Sequence, residues 1–132
     1  MLKRLLIVDD EIDHRFLLRI RFENHGFVCE EAEDGIVAIE KLTIQKMDLV
    51  LTDQHMPRMN GLELIEQMGR LPLLKKTPTI LMTSQSITEM FSPASQAGAH
   101  TVISKPYDFP KLLEEVRRAI GSSETMCNSS MP

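Results

Sequence analysis

The chain has 132 residues, the size of one compact domain, and its composition is 42% hydrophobic and 26% charged. These values are typical of a globular protein with a buried core and exclude a disordered chain. Fifteen Lys and Arg against nineteen Asp and Glu give a net charge of −4. Because phosphate binding depends on clustered cations, we expect no direct contact with nucleic acid or with a membrane surface.

The two cysteines and the N-terminal residues bear on the compartment. Cys29 lies in an apolar alternating stretch and Cys127 in a polar segment, which indicates neither a disulfide framework nor a zinc site. The apolar run Leu5–Val8 is shorter than the core of a signal peptide, and no run approaches the ~20 apolar residues of a membrane span. A cytoplasmic location is the expectation.

Short apolar runs of strand length alternate with segments of helical periodicity along the whole chain. The runs are Leu5–Val8, Val28–Ala32, Leu49–Thr52, Thr79–Met82 and Thr101–Ile103. Three of them are apolar without polar alternation, as in a parallel sheet that is covered on both faces. The order predicts an α/β fold with a doubly wound, five-stranded parallel sheet and helices on both faces.

Proline and glycine bear on the ends of the last two helices. Pro93 falls in the middle of the fourth helical segment, where it would interrupt a helix, so we expect a start at Pro93 with Ser92 as the N-cap. Gly121 is expected to end the last helix. The domain is therefore predicted to span 1–121 and to be followed by a flexible tail over 122–132.

Polar residues follow four of the apolar runs, at the strand ends where open α/β sheets bind their ligands. They are Asp9-Asp10, Asp53, Thr83 and Lys105. Three converging carboxylates would repel one another unless a hard divalent cation lay among them, most plausibly Mg²⁺. Thr83 and Lys105 would hold an incoming anion, for which a phosphoryl group is the natural candidate.

This pattern resembles the receiver domain of two-component response regulators, over residues 3 to about 120. The matching residues are Val8-Asp9-Asp10, Asp53 with Met56-Pro57 and Gly61, Thr83, and Lys105-Pro106. The spacings are 43 residues from Asp10 to Asp53, 30 more to Thr83 and 22 more to Lys105, as that family shows. The resemblance implies a CheY-like, flavodoxin-like (βα)5 fold and a phosphoprotein of phosphorelay signal transduction.

The resemblance also implies a mechanism. Asp53 would accept a phosphoryl group from a phosphohistidine of a sensor histidine kinase or phosphotransfer protein. Asp10 and the backbone carbonyl of His55 would join Asp53 as direct ligands of a Mg²⁺ cofactor, and Asp9 would act through a metal-bound water. The protein would catalyse only its own phosphorylation and dephosphorylation.

Further residues receive supporting roles from the resemblance. Lys105 would pair with the phosphoryl oxygens and Thr83 would hydrogen-bond one of them. His55 and Gln85 occupy positions that tune the lifetime of the phosphorylated state. A cis peptide bond between Lys105 and Pro106 is a further expectation.

The first helix offers a candidate docking surface. We expect packing or partial burial for its two histidines, which share a face with Leu17, Leu18 and Phe22. The full set on this face is His14, Leu17, Leu18, Phe22 and His25. Phe16 and Ile20 would then be exposed neighbours, and in similar domains that flank, with Pro106, docks the phosphohistidine partner. A wider buried stripe without a partner is the alternative.

One position departs from the family. Val102 stands three residues before Lys105, where receivers commonly carry a Tyr or Phe whose ring rotates inward on phosphorylation. A valine has too few rotamers and too little reach for that movement. The switch is therefore expected in residues 84–92 and the start of the fourth helix.

Other functions fit the residues less well. A haloacid dehalogenase-type phosphatase needs a second acid two residues after its nucleophile, where this chain has His55, and no dinucleotide-binding G-x-G-x-x-G is present. We expect a stand-alone receiver that signals through an unidentified downstream protein. A receiver-like interaction or dimerisation module that works without phosphorylation, and a receiver excised from a longer regulator, stay open, as does a phosphorylation-dependent dimer.

Overall fold

The computed structural model describes residues 2–128, with side chains described as far as Gly121. Within that range five strands alternate with five helices. They are β1 (Arg4–Val8), α1 (Ile12–Glu23), β2 (Val28–Ala32), α2 (Gly35–Ile44), β3 (Leu49–Asp53), α3 (Gly61–Arg70), β4 (Thr79–Thr83), α4 (Ile87–Ala97), β5 (Thr101–Ser104) and α5 (Phe109–Asn128). Each predicted strand is present, lengthened at most by one residue at one end.

The strands form one parallel sheet in the order β2-β1-β3-β4-β5. The predicted doubly wound α/β fold is confirmed. The chain changes direction across the sheet between β1 and β3, because β2 lies on one side of β1 and β3 on the other. In folds of this kind the crevice outside the carboxyl ends of those two strands is the usual ligand site.

Alternating side chains of the strands supply two separate cores, which explains their nearly continuous apolar runs. Leu5 and Ile7 of β1 pack with α1 and α5 on one face, whereas Leu6 and Val8 pack with α2 and α3 on the other. A third cluster lies below α3 and α4. Helices covering both faces leave the ends of the strands as the place for polar chemistry.

The fourth helix begins six residues earlier than predicted. Ser86, not Ser92, is the N-cap, and Pro93 lies exposed inside α4. Met90 and Ala94 of this helix are buried against the third cluster. Burial of that face and the Ser86 cap therefore outweigh the hydrogen bond that Pro93 cannot make.

The fifth helix continues beyond its predicted end. It runs from Phe109 to Asn128, past Gly121, and its apolar stripe packs on the face of the sheet that α1 covers. The flexible tail expected over 122–132 stays a prediction, and its residues 129–132 lie outside the described part of the chain. Among residues 2–128, no helix has the length and apolar character needed to cross a membrane.

Candidate functional site

Three carboxylates meet at the carboxyl end of the sheet. One oxygen from each of Asp9, Asp10 and Asp53 lies within 4.8 Å of the others. The cause is the strand register: Val8 of β1 pairs with Thr52 of β3, so the next residues along both strands are neighbours. Asp9 and Asp53 are buried and Asp10 is exposed. The predicted acidic cluster is therefore present as a group that opens to solvent through Asp10.

Lys105 places a cation on the buried acid. It directly follows β5, and its backbone N–H donates to the Thr83 carbonyl at 2.7 Å, which continues the ladder past the strand end. The Lys105 Nζ lies 2.5 Å from Asp53 Oδ1 and forms an ion pair with it. No group in the described structure meets the geometry of a hydrogen bond to this oxygen. Burial raises the pKa of Asp53 above its ordinary value, although Lys105 acts in the opposite direction.

Thr83 is fully buried at the end of β4, between the strands that carry Asp53 and Lys105. Its Oγ1 accepts a hydrogen bond from the backbone N–H of Gln85 at 3.0 Å. The Lys105–Pro106 peptide bond is cis, as expected. The hydroxyl, the ammonium group and the three acids thus occupy neighbouring strand ends, which the sequence pattern predicted.

Asp9 is held by the start of α1. Its Oδ1 accepts from the Glu11 N–H at 2.9 Å, its Oδ2 accepts from His14 Nδ1, and its carbonyl accepts from Arg15 at 2.5 Å. Burial opposes the charge of Asp9, but the bonds from His14 and Glu11 lower its pKa below the ordinary value. The carboxylate is therefore ionised and fixed.

His14 is partly buried, as expected, but its ring is also hydrogen-bonded within the site, which the sequence pattern did not predict. Besides Asp9, its ring contacts Tyr107, whose hydroxyl lies 2.7 Å from His14 Nε2. Tyr107 was not among the residues predicted for the site. The available signal was its place two residues after Lys105, at the strand end where the other site residues lie. His25, in contrast, is exposed in the turn after α1; its ring centroid lies 5.6 Å from that of Phe109, so it contacts the packed face without being buried in it.

The loop after β3 is anchored from several sides. Gln54 is buried, and its side-chain oxygen accepts the Leu62 N–H at 2.9 Å. Arg58, at a positive φ of 66°, pairs with the buried Asp34 that caps α2. His55 and Gln85 are both exposed, two residues after Asp53 and Thr83 respectively. Their effect on the phosphorylated lifetime stays a prediction.

The α1 surface agrees in part with expectation. Phe16 is 56% exposed and Ile20 is 39% exposed, whereas Leu18 and Phe22 are buried. Leu17 is 46% exposed, so it does not belong to the packed face to which it was assigned. It lies beside Phe16 and widens the exposed apolar surface. Pro106 is also exposed.

Val102 lies under the fourth helix. It is 7% exposed and belongs to the cluster that contains Leu81, Met90 and Ala94. The side chain packs against α4 in this cluster. A switch that does not use an aromatic ring at this position stays a prediction.

The acidic cluster suits a hard divalent cation. Its donors are carboxylate oxygens, which Mg²⁺ prefers, and Asp10 leaves one side open to the water ligands that this ion retains. The oxygens are close enough for one ion to contact more than one of them. The three acids therefore fit a bound Mg²⁺ ion.

The comparison with protein families agrees with this arrangement. The model of the response regulator receiver domain matches residues 5–117. This chain belongs to the receiver domain family. Receiver domains act as signalling modules in two-component and phosphorelay pathways, bind Mg²⁺ at an acidic cluster, and interact with histidine kinases or phosphotransfer proteins.

Individual relatives of this receiver domain have nearly its length. Sporulation initiation phosphotransferase F of Bacillus subtilis (strain 168) is 30% identical over 118 residues, covering 89% of this chain and 94% of that protein. The probable chemotaxis protein CheY of Rhizobium etli is 31% identical over 120 residues, covering 90% and 93%. The solved structure of response regulator protein TrrA from Thermotoga maritima in complex with Mg²⁺-BeF is 32% identical, with a TM-score of 0.80, and covers 89% of this chain and 99% of that one.

Proposed function

We propose that Asp53 is the phosphoacceptor of this receiver domain and takes its phosphoryl group from a phosphohistidine of a sensor histidine kinase or phosphotransfer protein. The observation that carries the proposal is the 2.5 Å contact between Asp53 and Lys105 beside two further carboxylates. A purely structural role would need only the ion pair between Asp53 and Lys105 and not the two further acids. Three clustered acids repel one another and are therefore costly to the fold unless they serve a site.

The transfer can be written with its atoms balanced. An Asp53 carboxylate oxygen forms a bond to phosphorus while the bond from phosphorus to the partner's imidazole nitrogen breaks, and that nitrogen takes up a proton. In dephosphorylation, water attacks phosphorus, the bond to Asp53 breaks, and inorganic phosphate leaves. The protein catalyses these two steps on itself and acts on no other substrate.

Lys105 and Thr83 stabilise the charge that moves. The Lys105 ammonium already lies on Asp53, so it can pair with phosphoryl oxygens without a large movement. The Thr83 hydroxyl accepts one hydrogen bond, and its own hydrogen can be donated to a phosphoryl oxygen. Because the transition state of phosphoryl transfer is loose, positioning and charge neutralisation supply most of the catalysis.

Mg²⁺ is the cofactor in this proposal. Asp10, Asp53 and the His55 carbonyl would hold it directly, and Asp9 would hold it through a water. When bound, the ion offsets the repulsion between the carboxylates and the incoming phosphoryl oxygens. The chain's own residues then bind and orient the donor.

Two surfaces complete the proposal. Phe16, Ile20 and Pro106 dock the phosphohistidine partner, a role supported by the exposure of all three beside the site. Phosphorylation draws Thr83 toward Asp53 and thereby reorganises residues 84–92, a segment that begins directly after that threonine. His55 and Gln85, both exposed, set the rate at which water reaches the phosphoryl group.

The test is labelling with a small acyl phosphate donor, measured by intact mass. Wild-type protein with Mg²⁺ should gain one phosphoryl group, Asp53→Asn should gain none, and EDTA should abolish the reaction. Asp48→Asn is the matched control, because Asp48 accepts the Arg4 N–H at the opposite end of the sheet. Unchanged labelling of Asp53→Asn, or full labelling in EDTA, would overturn the proposal. An unlabelled wild type would favour a binding module that works without phosphorylation.

A further inference from the structure

Asp9 differs from the other two acids because its side chain is linked to Tyr107 through His14. One of its oxygens accepts from the Glu11 N–H and the other from His14, and His14 in turn contacts Tyr107. The side chains of Asp10 and Asp53 do not share this arrangement in the described structure: Asp10 is exposed and Asp53 faces Lys105. These contacts connect the loop after β5 with the acid that follows β1, through His14 of α1.

The hydrogen-bonding capacities fix the direction of the link between His14 and Asp9. An ionised carboxylate only accepts, so His14 Nδ1 carries the proton that it donates to Asp9. In a neutral ring the other nitrogen accepts from the Tyr107 hydroxyl, and in a protonated ring it donates to the oxygen of that hydroxyl. Burial raises the pKa of Tyr107, so the hydroxyl keeps its hydrogen and can take either part. In both cases Tyr107 holds the ring with Nδ1 facing Asp9.

Rigidity distinguishes this arrangement from an incidental contact. The His14 and Tyr107 side chains are both partly buried, their ring centroids are 5.7 Å apart, and α1 fixes the backbone of the histidine. An Asp9 carboxylate held through both oxygens cannot turn about its last bond. Each oxygen still has an unused acceptor site, so the bonds orient the group without consuming it.

We propose that His14 is a positioning residue that holds Asp9 in the orientation for a divalent cation, and that Tyr107 holds His14. This inference rests on the proposed function, because it assumes that the acidic cluster binds Mg²⁺. Outer residues that orient the ligands of a metal typically contribute about 10–100-fold to metal affinity. For an acid that acts through water we expect the lower end, about tenfold.

The test measures the dissociation constant of Mg²⁺ by calorimetry on the full chain, without phosphorylation. His14→Leu removes both hydrogen bonds and should weaken Mg²⁺ binding about tenfold. His14→Asn places an amide N–H near the position of Nδ1 and should restore most of the affinity. His25→Leu is the matched control in the turn after α1, where the ring contacts the Arg21 carbonyl, and it should bind as wild type does.

Tyr107 allows a second, independent measurement. Tyr107→Phe should weaken binding less than His14→Leu does, and should add nothing in the His14→Leu background, because the two residues act in series. The chain has one tyrosine and no tryptophan, so its intrinsic fluorescence reports this ring alone. Mg²⁺ should change that fluorescence in wild type and not in His14→Leu.

The outcomes separate this inference from the proposed function. A wild type that does not bind Mg²⁺ at millimolar concentration contradicts the assumed cation site itself. Wild-type binding with an unchanged constant in both His14→Leu and Tyr107→Phe overturns the positioning role alone. Tighter binding in His14→Leu also overturns it, since the imidazole would then compete with the cation for Asp9.

Discussion

Gly61 lets α3 lie close against the backbone at the end of β3. A Cβ at Gly61 would lie 2.6 Å from the Asp53 carbonyl oxygen and 2.5 Å from a methyl group of Leu81. Real Cβ atoms do not approach a backbone atom so closely, so the helix and the strand would have to separate. The glycine is therefore required for close approach, at a position where its backbone conformation is ordinary.

The first prediction compares two glycines of α3. Gly61→Ala should lower the free energy of unfolding by about 1–3 kcal/mol through overpacking and should slow labelling of Asp53. Gly69→Ala, whose Cβ would meet nothing within 4 Å, should raise it by about 0.5–1 kcal/mol because alanine is the better helix former. Denaturant unfolding gives both values. Equal signs for the two substitutions would show that α3 and β3 do not approach so closely at Gly61.

Asp34 connects the loop after β3 to α2. Burial opposes its charge, but the bonds from the Val37 N–H and from Arg58 lower its pKa below the ordinary value of 3.8. A lowered pKa in the folded protein means that the unfolded chain binds protons more readily. The stabilisation from the ionised Asp34 is therefore present above 3.8 and is lost as the pH falls through the folded value.

The second prediction uses Asp34→Asn, which keeps a good N-cap and removes the charge. The wild type should be more stable than the variant by a constant amount near neutral pH, and the difference should shrink in acid. Denaturant unfolding across pH measures it. In an Arg58→Ala background the same substitution should have a smaller effect. A difference that does not depend on pH would contradict the account.

At the scale of elements, α4 is the part of the proposed switch whose helix has the weakest local stabilisation. Pro93 cannot make the hydrogen bond of an interior helical residue, and Ile87 and Phe91 of this helix are 46% and 62% exposed. Met90 and Ala94 are the buried anchors of the helix in the third cluster, and Ala97 packs against it while partly buried. Such a segment can reorganise at low cost.

The third prediction concerns amide hydrogen exchange over residues 84–92. A beryllofluoride-type phosphoryl mimic with Mg²⁺ should change exchange there more than in α1, because Thr83 directly precedes the segment. Pro93→Ala should strengthen the helix and reduce the change, and Ser95→Ala on the same helix is the control. Unchanged exchange over 84–92 with large changes elsewhere would place the switch in another element.

The fourth prediction concerns the exposed surface of α1. Replacing Phe16 and Ile20 together by Ser should cost little stability and should slow phosphotransfer from a cognate phosphohistidine protein. Ile44 and Leu73, 85% and 92% exposed, are matched controls, because they line the pocket at the opposite end of the sheet. Equal transfer rates for both double variants would remove the docking role. A loss of several kcal/mol for the first pair would place it in the core.

At the scale of the whole molecule, the sequence predicts what periodicity and strand ends determine. Apolar runs located all five strands, and the polar residues that follow them located the acids, Thr83 and Lys105. The errors fall where distant contacts decide. α4 forms through Pro93 because burial of its other face outweighs a local preference, which no local pattern reveals.

His14 illustrates the same limit within the site. Its spacing along α1 places it near packed residues, so periodicity favours a core role. Its actual partner Tyr107 lies 93 residues away and reaches it only because the loop after β5 ends beside the start of α1. Only a three-dimensional arrangement could reveal that link.

The most direct measurement for the central claim identifies the phosphorylated residue itself. After labelling with an acyl phosphate donor and Mg²⁺, borohydride reduces an aspartyl phosphate to homoserine, which peptide mass spectrometry can locate. We predict homoserine at position 53 and none at positions 9 or 10. Reduction at either of those positions, or labelled protein with no homoserine at 53, would contradict the assignment of Asp53 as the phosphoacceptor.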